Sequence, residues 1–250
     1  VTIIYALTIM DWRNIWIIIT IAIILFLPLV SYFLVKEIKL SSIEDDNEVI
    51  KQNIKQWKRS EVIKDYRFII IALNMLAMPW IATGIFVYQS FILSAKNWGE
   101  YTIAQSFMVY SIASVLTLFV AGYLIDKFTS RKLLIYMNIP FLISLLILIY
   151  FQSPVSSFFF LGLIGVSNGF ANVLGSSTWA ELYGVKFIGS IKALTTALMV
   201  FSTAFGTALF GLMIDFDFSI EQISMISGGY ILISLILLFL IKNKLNPTIL

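Results

Sequence analysis

The chain alternates long apolar runs with short polar loops. A helix needs about 20 apolar residues to cross the hydrocarbon core of a bilayer, and the sequence offers seven runs of suitable length. The predicted spans are 14–35, 67–93, 102–125, 132–152, 155–178, 188–214 and 222–241. Residues 1–10 are a shorter apolar piece without an initiator Met or a charged start, so we expect the end of an earlier span and not a signal peptide. The pattern predicts an all-α integral membrane protein.

The basic residues lie almost entirely in alternate loops. Of the 17 Lys and Arg residues, all but Arg13 and Lys96 fall on one side of the predicted membrane. Cytoplasmic loops retain Lys and Arg near the ends of spans. The distribution therefore predicts that the polar segment 36–66 and the carboxy terminus are cytoplasmic.

The segment 36–66 is also the predicted domain boundary, since it separates residues 1–35 from a set of six spans in 67–250. Inside it, Ile50, Ile54 and Trp57 recur at helical spacing among basic residues. This spacing is typical of a helix that lies on the membrane surface. An ordinary solvated loop with chance periodicity is the alternative.

Composition supports a membrane protein and excludes several kinds of chemistry. Apolar residues make up 60% of the chain, charged residues 12%, and the mean hydropathy is +0.94, whereas soluble domains are about half apolar. Cys and His are absent, which removes disulfides, thiolate catalysis, haem and His-ligated metals. We therefore predict no catalytic residue, no metal site and no cofactor. The net charge of +3 is explained by the loops, so no nucleic-acid partner is predicted.

A short sequence recurs within the six-span set. Gly122-Tyr-Leu-Ile-Asp126 ends its second span, and Gly211-Leu-Met-Ile-Asp215 ends its fifth. An odd separation of three spans puts the two copies on opposite membrane faces. This arrangement predicts two three-helix repeats of inverted topology.

The residues from Gly122 to Lys132 resemble the loop signature of the Major Facilitator Superfamily, in which a glycine, an aspartate and a base precede a short basic turn. Asp11-Trp12-Arg13 is similar to the Trp-Arg pair that opens helix 6 of many members. The segment from Trp179 to Gly184, with Gly189, resembles the link between helices 10 and 11. The glycine usual in the basic turn is replaced around Thr129-Ser130.

The resemblance implies an organisation for the whole chain. Residues 1–10 would end helix 5, 14–35 would be helix 6, and the six-span set would be helices 7 to 12. A missing amino-terminal half of the same polypeptide is then the implied partner. The overall likeness is to bacterial members, loosely of the monocarboxylate and oxalate/formate type, which implies the inner membrane.

The same resemblance implies a conformational latch on the cytoplasmic side. Its expected members are Gly122, Asp126, Lys127, Arg131 and Glu181. In this interpretation they hold the two halves together during one stage of transport. The alternative is helix capping and marking of membrane orientation.

Polar residues at midspan depth are the candidates for a solute path, because an unpaired polar group in hydrocarbon costs several kcal/mol unless it lines a cavity or meets another helix. The candidates are Asn168, Asn172, Tyr88, Gln89, Asn74, Tyr110 and Thr203. The glycines near Asn168 favour close helix packing as their role. For Tyr88, the alternative role is to anchor its helix at the membrane–water interface. Pro79 predicts a weak point in its span.

The predicted function is secondary-active or facilitative transport of a small polar solute, with an organic anion as the suggested class, by rocking-type alternating access. No phosphate-binding loop indicates ATP as the energy source. No charge lies at midspan, so we expect any coupling group outside these spans. The alternatives are a transport-inactive sensor or assembly protein of the same fold, and a membrane-embedded enzyme.

Overall fold

The computed structural model describes residues 9–35 and 54–248. Within these ranges, seven helical segments are long and apolar enough to cross a membrane, which confirms the predicted number. We number them spans 1 to 7: Trp12–Tyr32, Tyr66–Val87, Glu100–Phe128, Ser130–Tyr150, Ser156–Tyr183, Ile188–Asp215 and Ile220–Lys244. The chain divides into two compact units, Val1–Asn53 and Ile54–Leu250.

Span 1 belongs to the first unit, in a helix that runs from Trp12 to Val35. Large apolar side chains are exposed around it, including Trp16, Leu25 and Phe26. A helix that is apolar on every side is suited to lipid or to a membrane-embedded neighbour. The earlier span predicted for residues 1–10 lies almost wholly outside the described residues.

Spans 2 to 7 form the second unit, and their packing follows the predicted inverted repeat. Span 3 packs along span 5, span 2 along span 6, span 4 against spans 5 and 7, and span 2 against span 7. In such a repeat, span 2 corresponds to span 5, span 3 to span 6, and span 4 to span 7. When corresponding spans are exchanged, the contact between spans 3 and 5 becomes that between spans 6 and 2. The contact between spans 4 and 5 becomes that between spans 7 and 2. The 4–7 pair is exchanged with itself. This pattern is expected of two three-helix repeats related by a two-fold axis.

Several spans are interrupted. Span 2 consists of the helix Tyr66–Ala77, a π-helical turn Met78–Ala82 and the helix Thr83–Val87. Span 4 consists of Ser130–Met137 and Ile139–Tyr150, and span 7 ends in a 3₁₀ turn, Lys242–Lys244, after the helix Ile220–Ile241. The helices Arg59–Val62 and Gln89–Lys96 lie outside the spans. The breaks in span 2 and in span 4 both matter for the polar contacts described below.

The two ends of the bundle differ in charge. We call the end formed by residues 54–67, 127–132, 184–192 and 242–248 the basic end, and the opposite one the far end. The core near the basic end packs around Leu134, Trp179 and Tyr183. The core near the far end packs around Trp80 and Phe210.

The surface helix predicted around Ile54 and Trp57 is not formed by residues 54–58, which are irregular, so that part of the prediction is wrong. The backbone N–H of Lys55 donates to the Thr248 carbonyl at 2.8 Å, and that of Trp57 donates to the Tyr183 carbonyl at 3.0 Å. These long-range bonds occupy donors that a helix would need internally. Residues 36–53, including Ile50, lie outside the described residues.

The chain becomes helical only at Arg59–Val62. Glu61 accepts the Lys58 backbone N–H at 2.8 Å and pairs with the Lys55 ammonium at 2.9 Å. The backbone bond from Lys58, followed by the bond from Lys55, lowers the pKa of the Glu61 carboxyl. Glu61 therefore caps the start of this short helix by accepting the Lys58 N–H.

Candidate functional site

A cavity of about 230 Å³ lies between spans 2, 3, 5 and 6. Most of its wall is apolar, with Met75, Phe86 and Leu198 among the lining side chains. The polar contribution comes from Thr83, Tyr110, Asn168, Asn172 and Thr195. Among the described residues, no charged side chain lines this cavity. Such a site, largely apolar with a few convergent polar groups, is typical of small-molecule binding.

The π-helical turn of span 2 forms part of the cavity wall through Met78, Pro79 and Ala82. Proline has no N–H to bond the carbonyl four residues earlier, so the ladder is disturbed at this point. Neighbouring helices donate to the carbonyls just before the turn. Tyr230 of span 7 donates to the Leu73 carbonyl at 2.7 Å, and Ser202 of span 6 to the Leu76 carbonyl at 3.3 Å. Such turns are frequent at functional sites.

Asn168 and Asn172 are brought together on the cavity side of span 5 because they are four residues apart. The Asn168 side-chain amide donates to the Ser114 hydroxyl at 2.9 Å. The Asn172 side-chain amide donates to the backbone carbonyl of Asn168 at 3.0 Å. Neither side-chain carbonyl oxygen accepts a hydrogen bond from residues 54–248. Two amide oxygens are thus free to accept hydrogen bonds from a bound molecule.

Tyr110 of span 3 faces the same cavity. Its ring lies edge-on to Phe86, with centroids 5.4 Å apart and an interplanar angle of 81°. Within the described part of the chain its hydroxyl has no hydrogen-bond partner. The ring is therefore held by apolar packing, while the phenol remains available as a donor or acceptor.

The glycines of span 5 bring it close to span 3. A Cβ at Gly165 would collide with the Tyr110 carbonyl, and one at Gly169 would lie 2.6 Å from the Ser114 carbonyl. Gly175, which lines the cavity, would meet nothing within 4 Å. Gly165 and Gly169 therefore serve close packing, the interpretation that the sequence favoured, whereas Gly175 leaves open space.

Asn74 lies elsewhere, although the sequence made it a candidate for the solute path. Its side chain is completely buried and donates to the Leu134 carbonyl at 3.3 Å. It also accepts from Asn138 at 3.1 Å and from Ser234 at 3.3 Å. Asn138 stands at the break in span 4, where it donates to the Asn74 backbone carbonyl at 2.6 Å as well. Asn74 thus joins spans 2, 4 and 7 and does not line the cavity.

Three other candidates also lie away from the cavity. Thr203 returns its hydroxyl to the Val200 carbonyl at 2.7 Å, and Gln89 is exposed beyond the end of span 2. A Cβ at Gly211 would lie 2.5 Å from the Tyr88 hydroxyl, so Tyr88 packs against span 6. The sequence missed Thr83 and Thr195 as lining residues, because single threonines carry no distinguishing signal in membrane helices.

The residues of the loop signature separate into two sets at the basic end. Asp126 and Lys127 are exposed, and within the described residues Asp126 has no hydrogen-bond or ion-pair partner. Arg131 instead pairs with Glu181, with Nε 2.7 Å from Oε1, although the alignment is not that of a hydrogen bond. Nothing lies within 4 Å of a Cβ at Gly122. The structure thus brings together Arg131 and Glu181 and gives Asp126 no partner among residues 9–35 and 54–248.

Glu181 also caps the start of span 4. Its other carboxylate oxygen accepts the Ser130 backbone N–H at 2.9 Å and the Ser130 hydroxyl. A carboxylate at a helix start satisfies an unpaired N–H and is attracted by the helix dipole. The preceding residue, Thr129, has φ 73° and ψ 147°, a conformation that favours glycine. Its buried hydroxyl has no partner among the described residues.

A second polar cluster at the basic end was not predicted. Asp65 accepts the Tyr183 hydroxyl at 3.1 Å and pairs with the Arg67 guanidinium at 2.8 Å. Arg67 also donates to the Asn246 carbonyl at 2.8 Å. The cluster connects spans 2 and 5 to the segment after span 7. Asp65 and Arg67 are neighbours in sequence, but Tyr183 and Asn246 are more than 100 residues away, so no local pattern could have predicted the cluster.

In a comparison with protein families, the model described as Major Facilitator Superfamily matches residues 69–249, which is most of the chain. Comparison with curated proteins and with solved structures gives no match.

Proposed function

This chain belongs to the Major Facilitator Superfamily, a family of membrane transporters, and from that premise we propose that spans 2 to 7 form one side of the solute path of a secondary carrier or facilitator. The observation that carries the proposal is the cavity between spans 2, 3, 5 and 6. It combines an apolar wall with the free amide oxygens of Asn168 and Asn172. The other side of the path would be supplied by an amino-terminal half of the same polypeptide.

The lining supports a small polar solute that also has an apolar part. Two amide oxygens and the Tyr110 phenol can bond hydroxyl or amino groups of the solute, while Met75, Phe86 and Leu198 contact carbon atoms. An organic anion would find no cation among the described residues that line this cavity. For that class of solute, the neutralising charge and any proton-coupling group would come from outside the cavity.

The proposed mechanism is rocking of the six-span unit against its partner half. Asp126 and Lys127 are exposed at the basic end, which leaves them available to bind the partner half in one conformation. Arg131 and Glu181 have a different part in this proposal, because their mutual pairing fixes the turn that presents Asp126. We place the basic end in the cytoplasm and the protein in the bacterial inner membrane.

The proposal is tested by solute flux into proteoliposomes that contain the full-length protein. Monocarboxylates, neutral sugars and amino acids serve as labelled probes. For a transported probe, Asn172→Leu removes an acceptor from the cavity, and we expect the KM to rise roughly three- to ten-fold for one lost hydrogen bond. Thr203→Val is the matched control, since this hydroxyl bonds only its own helix.

The two variants separate the possible outcomes. An unchanged KM in Asn172→Leu, or an equal change in Thr203→Val, would contradict the assignment of the cavity. Binding of a probe without flux would favour a transport-inactive sensor.

A further inference from the structure

A second cavity, of about 630 Å³, opens at the basic end between spans 3, 4 and 7. Its inner wall is apolar and includes Leu124, Phe128 and Phe239. Its polar rim includes Lys132 from span 4 and Lys242 from span 7. Within residues 54–248, this cavity and the proposed solute path have no lining residue in common.

The two lysines on the rim have no acidic partner in the described part of the chain. Both are exposed, and the Lys242 ammonium lies 3.7 Å from the centroid of the Phe239 ring. Arg131 also reaches the rim, but Glu181 neutralises it and Asn246 accepts from it at 2.9 Å. Of the residues that the structure describes, no Asp or Glu lines the cavity. The rim therefore presents two positive charges that no acidic side chain of residues 54–248 neutralises.

An apolar groove of about 240 Å³ continues from this cavity between spans 4 and 7. Ile135 and Phe239 line both spaces, and Ile139 and Leu235 line only the groove. Along span 4 the lining passes from Lys132 in the first helix to Ile139 at the start of the second, a length of about 10 Å at the helical rise of about 1.5 Å per residue. Along span 7 it passes from Lys242 to Leu235 in the same direction. Charge at the mouth thus gives way to an apolar channel directed into the span region.

We propose that these two spaces bind one anionic phospholipid, with its phosphate between Lys132 and Lys242 and the start of an acyl chain in the groove. Basic pockets between membrane helices suit anionic headgroups. The groove lies within the spanning segments, where lipid is the solvent, and the exposed side chains Ile236 and Leu240 at its edge are apolar. A free anion would make no use of the groove.

The test measures lipid binding to the full-length protein in detergent by native mass spectrometry, with phosphatidylglycerol and phosphatidylcholine of identical acyl chains. The parent protein should bind phosphatidylglycerol more tightly. Near a membrane surface each lysine contributes to anionic-lipid binding by an amount equivalent to roughly a five-fold change in affinity, so Lys132→Gln with Lys242→Gln should remove most of the preference. Both residues are exposed, so the fold should survive.

The control is Lys186→Gln with Lys192→Gln, which removes the same charge from exposed positions outside the cavity at the basic end. It should keep the preference for phosphatidylglycerol.

Ile139→Trp fills the groove without a change of charge, and it should weaken binding of both lipids. Equal binding of the two lipids by the parent, or an equal loss in the control, would overturn the proposal. Competition by inorganic phosphate as effective as that by the phospholipid would overturn it too, since the acyl chain would then contribute nothing.

Discussion

Arg131 and Glu181 form a 2.7 Å ion pair that ties the start of span 4 to the end of span 5. Each side chain is 24% exposed, and the carboxylate also accepts the first backbone N–H of span 4. The pair lies directly beside the turn of the loop signature. Asp126, five residues before Arg131, has no part in it.

Replacement of this carboxylate tests its structural role. Glu181→Gln should lower the free energy of unfolding by about 1–3 kcal/mol, because Arg131 loses its counter-charge while still partly buried. Thermal unfolding of the purified protein in detergent measures the change. Glu100→Gln, at an exposed helix start, is the control and should have little effect.

Asp126→Asn, unlike Glu181→Gln, should leave the free energy of unfolding unchanged. Its side chain is exposed and unpartnered in the described residues, so thermal unfolding should be unchanged within about 0.5 kcal/mol. If Asp126 contacts the partner half during transport, flux in proteoliposomes should fall at unchanged stability. A variant with normal flux would show that this aspartate only marks the membrane boundary.

Gly169→Ala tests the close approach of spans 3 and 5. The added methyl would lie 2.6 Å from the Ser114 carbonyl, so the helices must separate, at a cost of about 1–3 kcal/mol. Gly175→Ala on the same helix meets open space and should be neutral or stabilising by up to about 1 kcal/mol. Equal thermal stabilities of the two variants would contradict the packing described for Gly169.

Thr129→Gly should stabilise the protein. Thr129 occupies a conformation with φ 73° that costs a β-branched residue about 1–3 kcal/mol, and its hydroxyl is buried without a partner. Glycine avoids both costs. Ser130→Gly is the comparison, since it removes a hydroxyl that donates to Glu181 and should destabilise. A higher unfolding temperature is expected only for Thr129→Gly.

Lys96 and Glu221 offer a double-mutant test at the far end. The Lys96 side chain is completely buried, and its ammonium lies 2.7 Å from the Glu221 carboxylate. Glu221→Gln should cost about 2–4 kcal/mol, less than a fully buried pair because Glu221 is 33% exposed. Lys96→Met combined with Glu221→Gln removes both charges. The double variant should unfold at a higher temperature than Glu221→Gln alone.

The sequence predicted what depends on local periodicity. Apolar runs defined all seven spans, because span length is set by the bilayer. Asn168 and Asn172 were found on one face because their spacing is helical. Asn74 was expected to line the solute path but instead joins spans 2, 4 and 7. A sequence shows that a residue is polar but not which neighbouring helix it faces. Asn138 and Ser234, which decide its role, are 64 and 160 residues away.

The segment 54–58 also shows that a sequence does not reveal long-range contacts. Helical spacing of Ile54 and Trp57 was real, but the backbone donors of Lys55 and Trp57 bond to Thr248 and Tyr183. Long-range hydrogen bonds of this kind override the local preference for a helix, and no sequence pattern predicts them. The family that the sequence resembles was confirmed over residues 69–249, whereas the pairing of Arg131 with Glu181 could be seen only in the folded structure.

The π-helical turn in span 2 has a consequence for how that span tolerates change in length. Such a turn contains one residue more than an α-helical turn, so every later side chain is rotated by about 100° relative to an uninterrupted helix. Thr83 and Phe86, which line the cavity, both come after this turn. Removal of a single residue between Met78 and Ala82 would restore the uninterrupted register and turn both side chains away. A deletion in this turn would therefore change the orientation of every later side chain in span 2.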